Sequence, residues 1–592
     1  MRVRLFGPLT LAQVRDGDVV GLSPTSSFSQ DLVVSDPTLT STIAVPRELL
    51  SRPGAYLAKV DVRSGGMTRA LGQVWLGRYA PSERTVDVAV VWPIALGIHR
   101  DPQGIFFDDV LEKSLQGEGG DLAGLVSVLE ASGSAHFSLA LEPILLAQLR
   151  DMADGYGRVD SSGRTESVEA QAPSATAAAQ ILARLKTLGK QHRVELLTGA
   201  YASPWLELLA WESWRDGLEQ VQLGKLEVQR TLGLDSDLTG GFTPDLDLTT
   251  GTLNYYSQAS IDHLVVDSKV ASDIGEPIDA ATTVRVRDLE NNRVTLVLAD
   301  TDLATLMQAP WNSGRLLAGL AAVLVERSGN ALVLAGRADG GLPPPGYVQS
   351  TLQALSRLPG VRTCTLKELL KNHPPGSRPV TLRRQGSLPR GYVSLALHAA
   401  LRKAHQLVND LGKTTTGGAV VEQAYLLLYT AESRWWSLPP ASPALGSVGL
   451  AYANEAAALA RKELGKISLA EADGHTVLGK EGTIRLRLQN QADYPMNVEI
   501  ALAGQDVVLP DGPVQAVRAE PGSTDVTLRV VGQTTKGRLT VALRAGGTTL
   551  GSLSLALHFV TFRSLLPWVL VGGVLVLAAA FWVVRAWRRR RA

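Results

Sequence analysis

Leu565 to Val584 is an unbroken run of 20 apolar residues, followed at once by Arg585 and then Arg588 to Arg591. A helix rises about 1.5 Å per residue, so the run covers about 30 Å, the hydrocarbon thickness of a bilayer. A core helix is rarely apolar on every face for so long, and a membrane span is the better reading. Pro567 falls at the start of the run, where a missing N–H costs little; Trp568, Trp582 and Trp587 fall near the two interfaces that amphipathic rings favour. Five arginines after the run, against Arg563 alone before it, predict a cytoplasmic tail and extracytoplasmic N-terminal domains. Export needs a signal. Met1 to Val14 offers Arg2 and Arg4 ahead of a short apolar stretch broken by Gly7, Pro8 and Gln13, with no cleavage site. The expectation is that a signal peptide is missing from this chain. The alternative, a tail anchor of opposite topology, would drag five arginines across the membrane.

With 592 residues the chain has room for about four folding units of ~150 residues each. Lys and Arg number 58 and Asp and Glu 57, a formal charge of +1, so no global positive field draws nucleic acid, and none is expected as a partner. Hydrophobic residues at 45% and charged residues at 19% exclude a disordered chain. The single cysteine, Cys364, excludes an intrachain disulfide, a cysteine zinc cluster and a CxxC redox pair. With no histidine predicted beside it, Cys364 reads as a small buried apolar residue.

Five segments follow from the patterning. Residues 1–86 are β-branched and polar with Gly and Pro punctuation, and read as an immunoglobulin-like β domain; Leu57 to Val62 and Ala70 to Leu76 are paired strands. Residues 87–375 alternate strand and helix. The strands are Val88 to Val91, Phe137 to Leu141, Val194 to Leu197, His263 to Val266, Val294 to Leu298 and Leu332 to Ala335. Between them, Leu122, Leu125, Val126 and Leu129 mark one helix, Ala177 to Leu188 another, and Leu218 to Leu232 a third that Gly233 stops. At least six such strands favour a closed or nearly closed (β/α) barrel, with 158–174 as a mobile insertion. Residues 376–470 read as a helical appendix, 471–562 alternate with period two as an antiparallel β-sandwich, and 563–592 are the anchor and basic tail. The fold class is multidomain α/β plus all-β, a barrel flanked by β-sandwich domains and one transmembrane helix.

A parallel barrel carries its chemistry at the carboxyl ends of its strands. The residues there include His99 after the first strand, Glu142 after the second, Glu195, Tyr201 and Trp205 with the third, Asp245 and Asp247 after Phe242 and Pro244, and then Asp267 and Lys269. Aromatic rings stack on pyranose faces and carboxylates bond hydroxyls, so this mixture suits a sugar. Val194 to Tyr201 (VELLTGAY), Gly241 to Asp245 (GFTPD), Thr365 to Leu370 (TLKELL) before His373-Pro374-Pro375, and Ala431 to Trp436 (AESRWW) occur in the order in which similar segments occur in family 57 glycoside hydrolases. The middle of the chain resembles that family and the related glycosidase/deacetylase superfamily. The whole arrangement also resembles an uncharacterised family of actinobacterial membrane-anchored envelope proteins.

The resemblance to the glycosidases implies a Glu nucleophile after Pro244, where this chain has Asp245, one methylene shorter by about 1.5 Å. It implies a partner acid after Leu332 to Ala335, where the chain reads Gly336-Arg337-Ala338-Asp339. A retaining mechanism needs both carboxyl groups, about 5 Å apart. The barrel therefore reads as catalytically degenerate, with Asp245 at a vestigial nucleophile position and His99, Glu195, Tyr201, Trp205, Asp247 and Asp267 as substrate-binding candidates. No metal and no cofactor are expected: His99, His136, His192 and His263 share no helical ligand spacing. Trp211 and Trp214 read as core, Asp108 and Asp109 as helix caps, and Lys225 with Glu219 and Glu227 as a solvated face. Three functions remain open: a membrane-held envelope component binding envelope glycan or a partner protein without turnover; an active glycosidase or glycan-modifying enzyme using Asp245 with Asp247, Asp267 or Asp339; and a scaffold for envelope assembly.

Overall fold

The computed structural model describes residues 1–592 apart from 18, 32–43, 65–66, 80–84, 235–236, 273, 275–281, 289, 328, 387–392, 416–417, 438–442, 474–475, 561 and 590–592. Side chains at 118, 443–444, 471–473 and 562–569 are likewise outside the description. The chain divides into two compact units: residues 1–392 with 432–448, and residues 393–431 with 449–592. The stretch expected as one helical appendix is thus split, because Glu432 to Val448 packs with the first unit.

The first unit is built on seven parallel strands: Val86–Ile94, Phe137–Leu141, Val194–Thr198, Gly240–Phe242, His263–Asp267, Arg293–Ala299 and Ala331–Ala335. The first six pair in chain order, and the seventh pairs back onto the first with Leu332 opposite Val88. The sixth and seventh strands do not pair: the sixth pairs along its outer edge with the antiparallel strand Thr283–Arg287, which in turn pairs with Val380–Thr381, and the Asp300 amide, bonded to the Val333 carbonyl at 3.0 Å, links the end of the sixth to the seventh across this gap in what we call the ring. Continuous apolar runs such as Val88 to Val91 suit this arrangement, since each strand is buried on both faces. An eighth short strand, Val361–Cys364, wedges onto the amino end of the first strand, while the second strand pairs with its carboxyl half from Val91. Helices connect the strands: Asp121–Ala131 buries Leu122, Leu125, Val126 and Leu129, and Asp216–Leu232 ends on Gly233 in the left-handed conformation, φ 54°.

Two expectations need correction here. Residues 1–86 do not form an immunoglobulin-like sandwich but one four-stranded sheet, ordered Ser26–Ser29, Arg2–Leu9, Gly54–Ser64, Met67–Arg78. A single layer must cover its apolar face with something else, and Phe6, Leu57 and Trp75 share a core with Leu316 and Leu320 of the helix Ser313–Glu326 and with Val88 and Val90 of the ring. The segment 158–174 is not a loose insertion. It contributes to a hairpin of Tyr156–Val159 and Thr165–Val168, in which Arg158 pairs with both Glu112 and Glu166 at 2.6 Å, and Pro173 opens the next helix.

The second unit holds the helices Leu395–Thr414 and Ala419–Ala431, the Gly449–Leu464 part of a third, and two sheets of four and five strands. Ile484, Leu486 and Leu488 of one sheet and Leu539, Val541 and Leu543 of the other point into one shared core. One pairing, Thr476–Leu478 with His558–Val560, is parallel; every other pairing in these sheets is antiparallel. Buried Asp410 of the first helix accepts from the Gly547 amide (3.0 Å) and Thr548 hydroxyl (2.7 Å), tying the helix to a tight turn. The chain ends in the helix Phe562–Arg589, which already runs through Pro567 and whose Leu570–Arg589 stretch is long and apolar enough to cross a membrane. Trp582 and Trp587 stand exposed on it, and Arg590 and Arg591 lie outside the described residues.

Candidate functional site

At the carboxyl ends of the fourth, fifth and seventh ring strands lies a cavity of about 300 Å³. Its walls include Trp205, Asp245, Asp247 and Asp267 from the predicted set, and Arg337 and Asp339 from the segment where a second acid was expected. The fourth strand leads into it. It is only Gly240-Gly241-Phe242 long, and a Cβ at Gly240 would stand 2.7 Å from His263 Nε2, so glycine is what lets His263 reach across toward Glu195. The chain then turns at Leu246, which is buried yet left-handed at φ 60°, a strained conformation for a side chain of its size. The Asp267 amide bonds the Leu246 carbonyl at 2.7 Å and fixes that turn, so that Asp245 and Asp247 both face the cavity. Across the mouth, the Ala338 amide donates to the Pro244 carbonyl at 2.8 Å and joins the loops that carry Asp245 and Asp339.

Three of the four aspartates are each held by an arginine. Arg434 Nη2 lies 2.8 Å from Asp245 Oδ2, with only 3% of the arginine side chain and 19% of the aspartate exposed. Arg384 pairs with Asp247 at 2.8 Å, and Arg337 grips Asp339 through Nη2 at 3.0 Å and Nε at 3.2 Å. Asp267 accepts instead from the Lys269 amide and the Thr301 hydroxyl. Arg434 also lies over the Trp205 ring, 4.4 Å from its centroid, so one face of that ring already carries a cation. The indole Nε1 of Trp205 donates to Ser437 at 2.8 Å.

These pairings set the charge states. Burial pushes the Asp245 carboxyl up, but Arg434, by charge and hydrogen bond, more than reverses this and holds it below the usual carboxylate range. Asp247 goes the other way: burial raises it, and Arg384 only partly opposes. Close by, Glu207 is pushed up to about 7, first by burial and then by the negative charge of Asp245.

No family model matches the chain, and no curated protein does. Among solved structures, the chain is similar to a 4-alpha-glucanotransferase from Thermococcus litoralis at 12% identity, covering 78% of this chain and 85% of that one, with a TM-score of 0.46. It is similar to a GH57-type branching enzyme from Pyrococcus horikoshii at 12% identity, covering 64% and 90%, with a TM-score of 0.46. An alpha-mannosidase from Enterococcus faecalis matches at 10% identity over 79% of this chain and 62% of that one, with a TM-score of 0.40.

The remaining predicted residues lie elsewhere. His99 is committed to Asp108 (2.9 Å) and the Leu96 carbonyl (2.8 Å), and its amide to Gln148; burial lowers its basicity, but Asp108 more than compensates. Glu195 sits at the amino end of its strand, opposite the cavity, because the strand runs on to Thr198. There it pairs with His263 at 2.8 Å and accepts from Ser138 and the Lys367 amide. Tyr201 is a core residue, 4% exposed, away from the cavity lining. Two other histidines also lie away from this cavity: His136 pairs with Glu368 at 2.9 Å, and His192 lines a separate cavity with Glu195. Trp214 is buried as expected of core, whereas Trp211 is 70% exposed. Lys225 is not on a solvated face but buried, with its amine on Asp237 at 3.0 Å.

Sequence reasoning missed Arg384 and, above all, Arg434. Arg434 belongs to the AESRWW segment, yet the segment gave no sign that its arginine meets an aspartate 189 residues away. Its neighbours explain the position: the Ser433 and Pro204 backbones bridge, Gln220 donates to Glu432 at 2.7 Å, and Trp435 Nε1 donates to buried Glu142.

Proposed function

We propose that this is a single-span membrane protein whose ring, a barrel of glycosidase/deacetylase type, binds carbohydrate without turning it over. The observation that carries this reading is the Asp245–Arg434 pair, buried and 2.8 Å long. Hydrolysis with retention needs one carboxylate to attack and one carboxylic acid to protonate the leaving oxygen. Here the shortened Asp245 is bound to a guanidinium, Asp339 is gripped by Arg337, and the one carboxyl raised to about 7, Glu207, is not among the groups that line the cavity. What remains suits holding a sugar: carboxylates and guanidinium groups for hydroxyls, beside an aromatic ring.

The orientation we infer, with the ring unit extracytoplasmic and the arginines cytoplasmic, rests on the positive-inside rule. On that reading the ligand is a cell-envelope glycan. The test is a glycan array with the full-length protein in detergent micelles, wild type against Asp245→Ala, run beside a hydrolysis assay on the same glycans. Binding that weakens in the variant, with no turnover in either protein, is the expected result. An enzymatic reading has one observation in its favour, the Ala338–Pro244 hydrogen bond that joins the loops of Asp245 and Asp339. Turnover in the wild type that is lost in both Asp245→Ala and Asp339→Ala would reverse the conclusion.

A further inference from the structure

From the donors around the cavity we infer that its ligand is an acidic sugar, one whose carboxylate seats against Arg434, Arg337 and Lys269. This rests on the carbohydrate-binding reading above and narrows it to a substrate class. Arg434 is the starting point. Its Nη2 serves Asp245, while Nε and Nη1 have no hydrogen-bond partner among the described residues, although the side chain is 3% exposed. A buried guanidinium with two nitrogens unserved is an unusual expense for a fold, and buried donors of this kind ordinarily have acceptors. Arg434 lines the cavity of about 300 Å³, so a compact acceptor seated there stands beside this guanidinium and reaches it with a small turn of the side chain.

The neighbours favour an anion over a hydroxyl. Arg337, with 39% of its side chain exposed, and the exposed Lys269 line the same cavity and present donors beside those of Arg434. Guanidinium bonds to a carboxylate are roughly twice as strong as neutral ones, so a sugar that brings its own carboxylate gains most here. The aspartates limit the charge that fits. Asp245, Asp247, Asp267 and Asp339 already stand in the walls, and a monoanionic carboxylate meets less repulsion from them than a phosphate dianion would. Trp205, with one ring face taken by Arg434, leaves less aromatic surface for stacking a neutral pyranose, which again shifts recognition to charge.

The experiment is calorimetric titration of the full-length protein in detergent micelles with an oligosaccharide containing glucuronic acid, its neutral glucose counterpart, and a phosphorylated one. The expected result is roughly tenfold or more tighter binding of the uronate than of the neutral sugar, the size of one charged hydrogen bond. That preference should shrink in Lys269→Gln, at an exposed position, and in Arg337→Gln, whose folding is checked by its urea midpoint because it also releases Asp339, and it should fall with added salt. Equal affinity for acidic and neutral sugars overturns the inference and leaves the carbohydrate reading standing. Preference for the phosphorylated sugar also overturns it. Binding of none of the three rejects both.

Discussion

Replacing Arg434 with methionine keeps an unbranched, mostly apolar side chain beside Trp205 but removes the cation that faces Asp245. The consequence follows from burial. With the arginine 3% exposed and its partner 19%, little water reaches the pair to solvate a lone carboxylate, so the cost should fall toward the lower end of the range for buried pairs. Removing one member of such a pair typically costs about 3–5 kcal/mol, because the other charge stays behind. Loss of the contact with the Trp205 face adds about 0.5–2 kcal/mol. Against a total stability of about 5–15 kcal/mol this is a large fraction. In the double variant Arg434→Met with Asp245→Asn no charge is stranded, so it should recover at least about 2 kcal/mol relative to Arg434→Met alone. Tryptophan fluorescence reads the right part of the molecule: of the 11 tryptophans, the eight from Trp75 to Trp436 lie in the ring unit and the other three in the terminal helix. Urea unfolding of the full chain in micelles, followed at these rings, should show Arg434→Met shifted to a lower midpoint at unchanged slope. A loss under about 1 kcal/mol, or a double variant no more stable than the single, would refute the claim that this pair holds the site together.

Three further outcomes follow from the same geometry. Glu207, raised to about 7 from its ordinary 4.5 by burial and by Asp245, with Asp247 adding to the push and Arg434 opposing it, favours the fold while protonated. That contribution, roughly 3 kcal/mol, is present below pH 4.5 and is lost as pH rises through 7. Glu207→Gln should flatten the stability profile across that window and exceed the wild type at pH 8; a profile identical to wild type would count against the assignment. His263→Ala removes one of three donors to the buried Glu195 at the far end of the ring, so it should cost about 1–3 kcal/mol and, on the carbohydrate-binding proposal, leave sugar affinity of the folded protein unchanged; lower affinity at full folding would return Glu195 to the site. Cys364 is buried, and burial pushes its thiol up to about 12, so a thiol reagent at pH 8 should label it only once urea unfolds the ring; prompt labelling of the native protein would contradict its placement.

What the sequence revealed and what it hid divide along a physical line. Val88 to Val91, Leu332 to Ala335 and Ile484 to Leu488 carry their burial in their own spacing, and each appears on the buried face that its period indicates. The strand Gly240–Phe242 has no such signature, since two of its three residues are glycines, Gly240 giving room to His263 and Gly241 to Ile261 and Leu264. A candidate inside a strand is ambiguous between the two rims, and in a ring that ambiguity is decisive. Val194 to Leu197 ends at Thr198, which leaves Glu195 at the amino rim, whereas Asp267 closes its strand at the carboxyl rim and reaches the cavity.

The pairing of acids with arginines was hidden for a different reason. Asp339 and Arg337 are two residues apart and their meeting is local, but Asp245 and Arg434 are joined only through the fold. A carboxylate at the end of a barrel strand is ambiguous as sequence: bare in a wet cleft it can attack, whereas clasped by a buried guanidinium it is an anchor. Which of the two it is depends on a segment far along the chain, held in place by Glu432, Ser433 and Trp435, which do not themselves line the cavity. Whether Asp245 is bare or clasped is therefore a property of how residues 432–437 pack, and changes there should alter the site as strongly as changes at the aspartate itself.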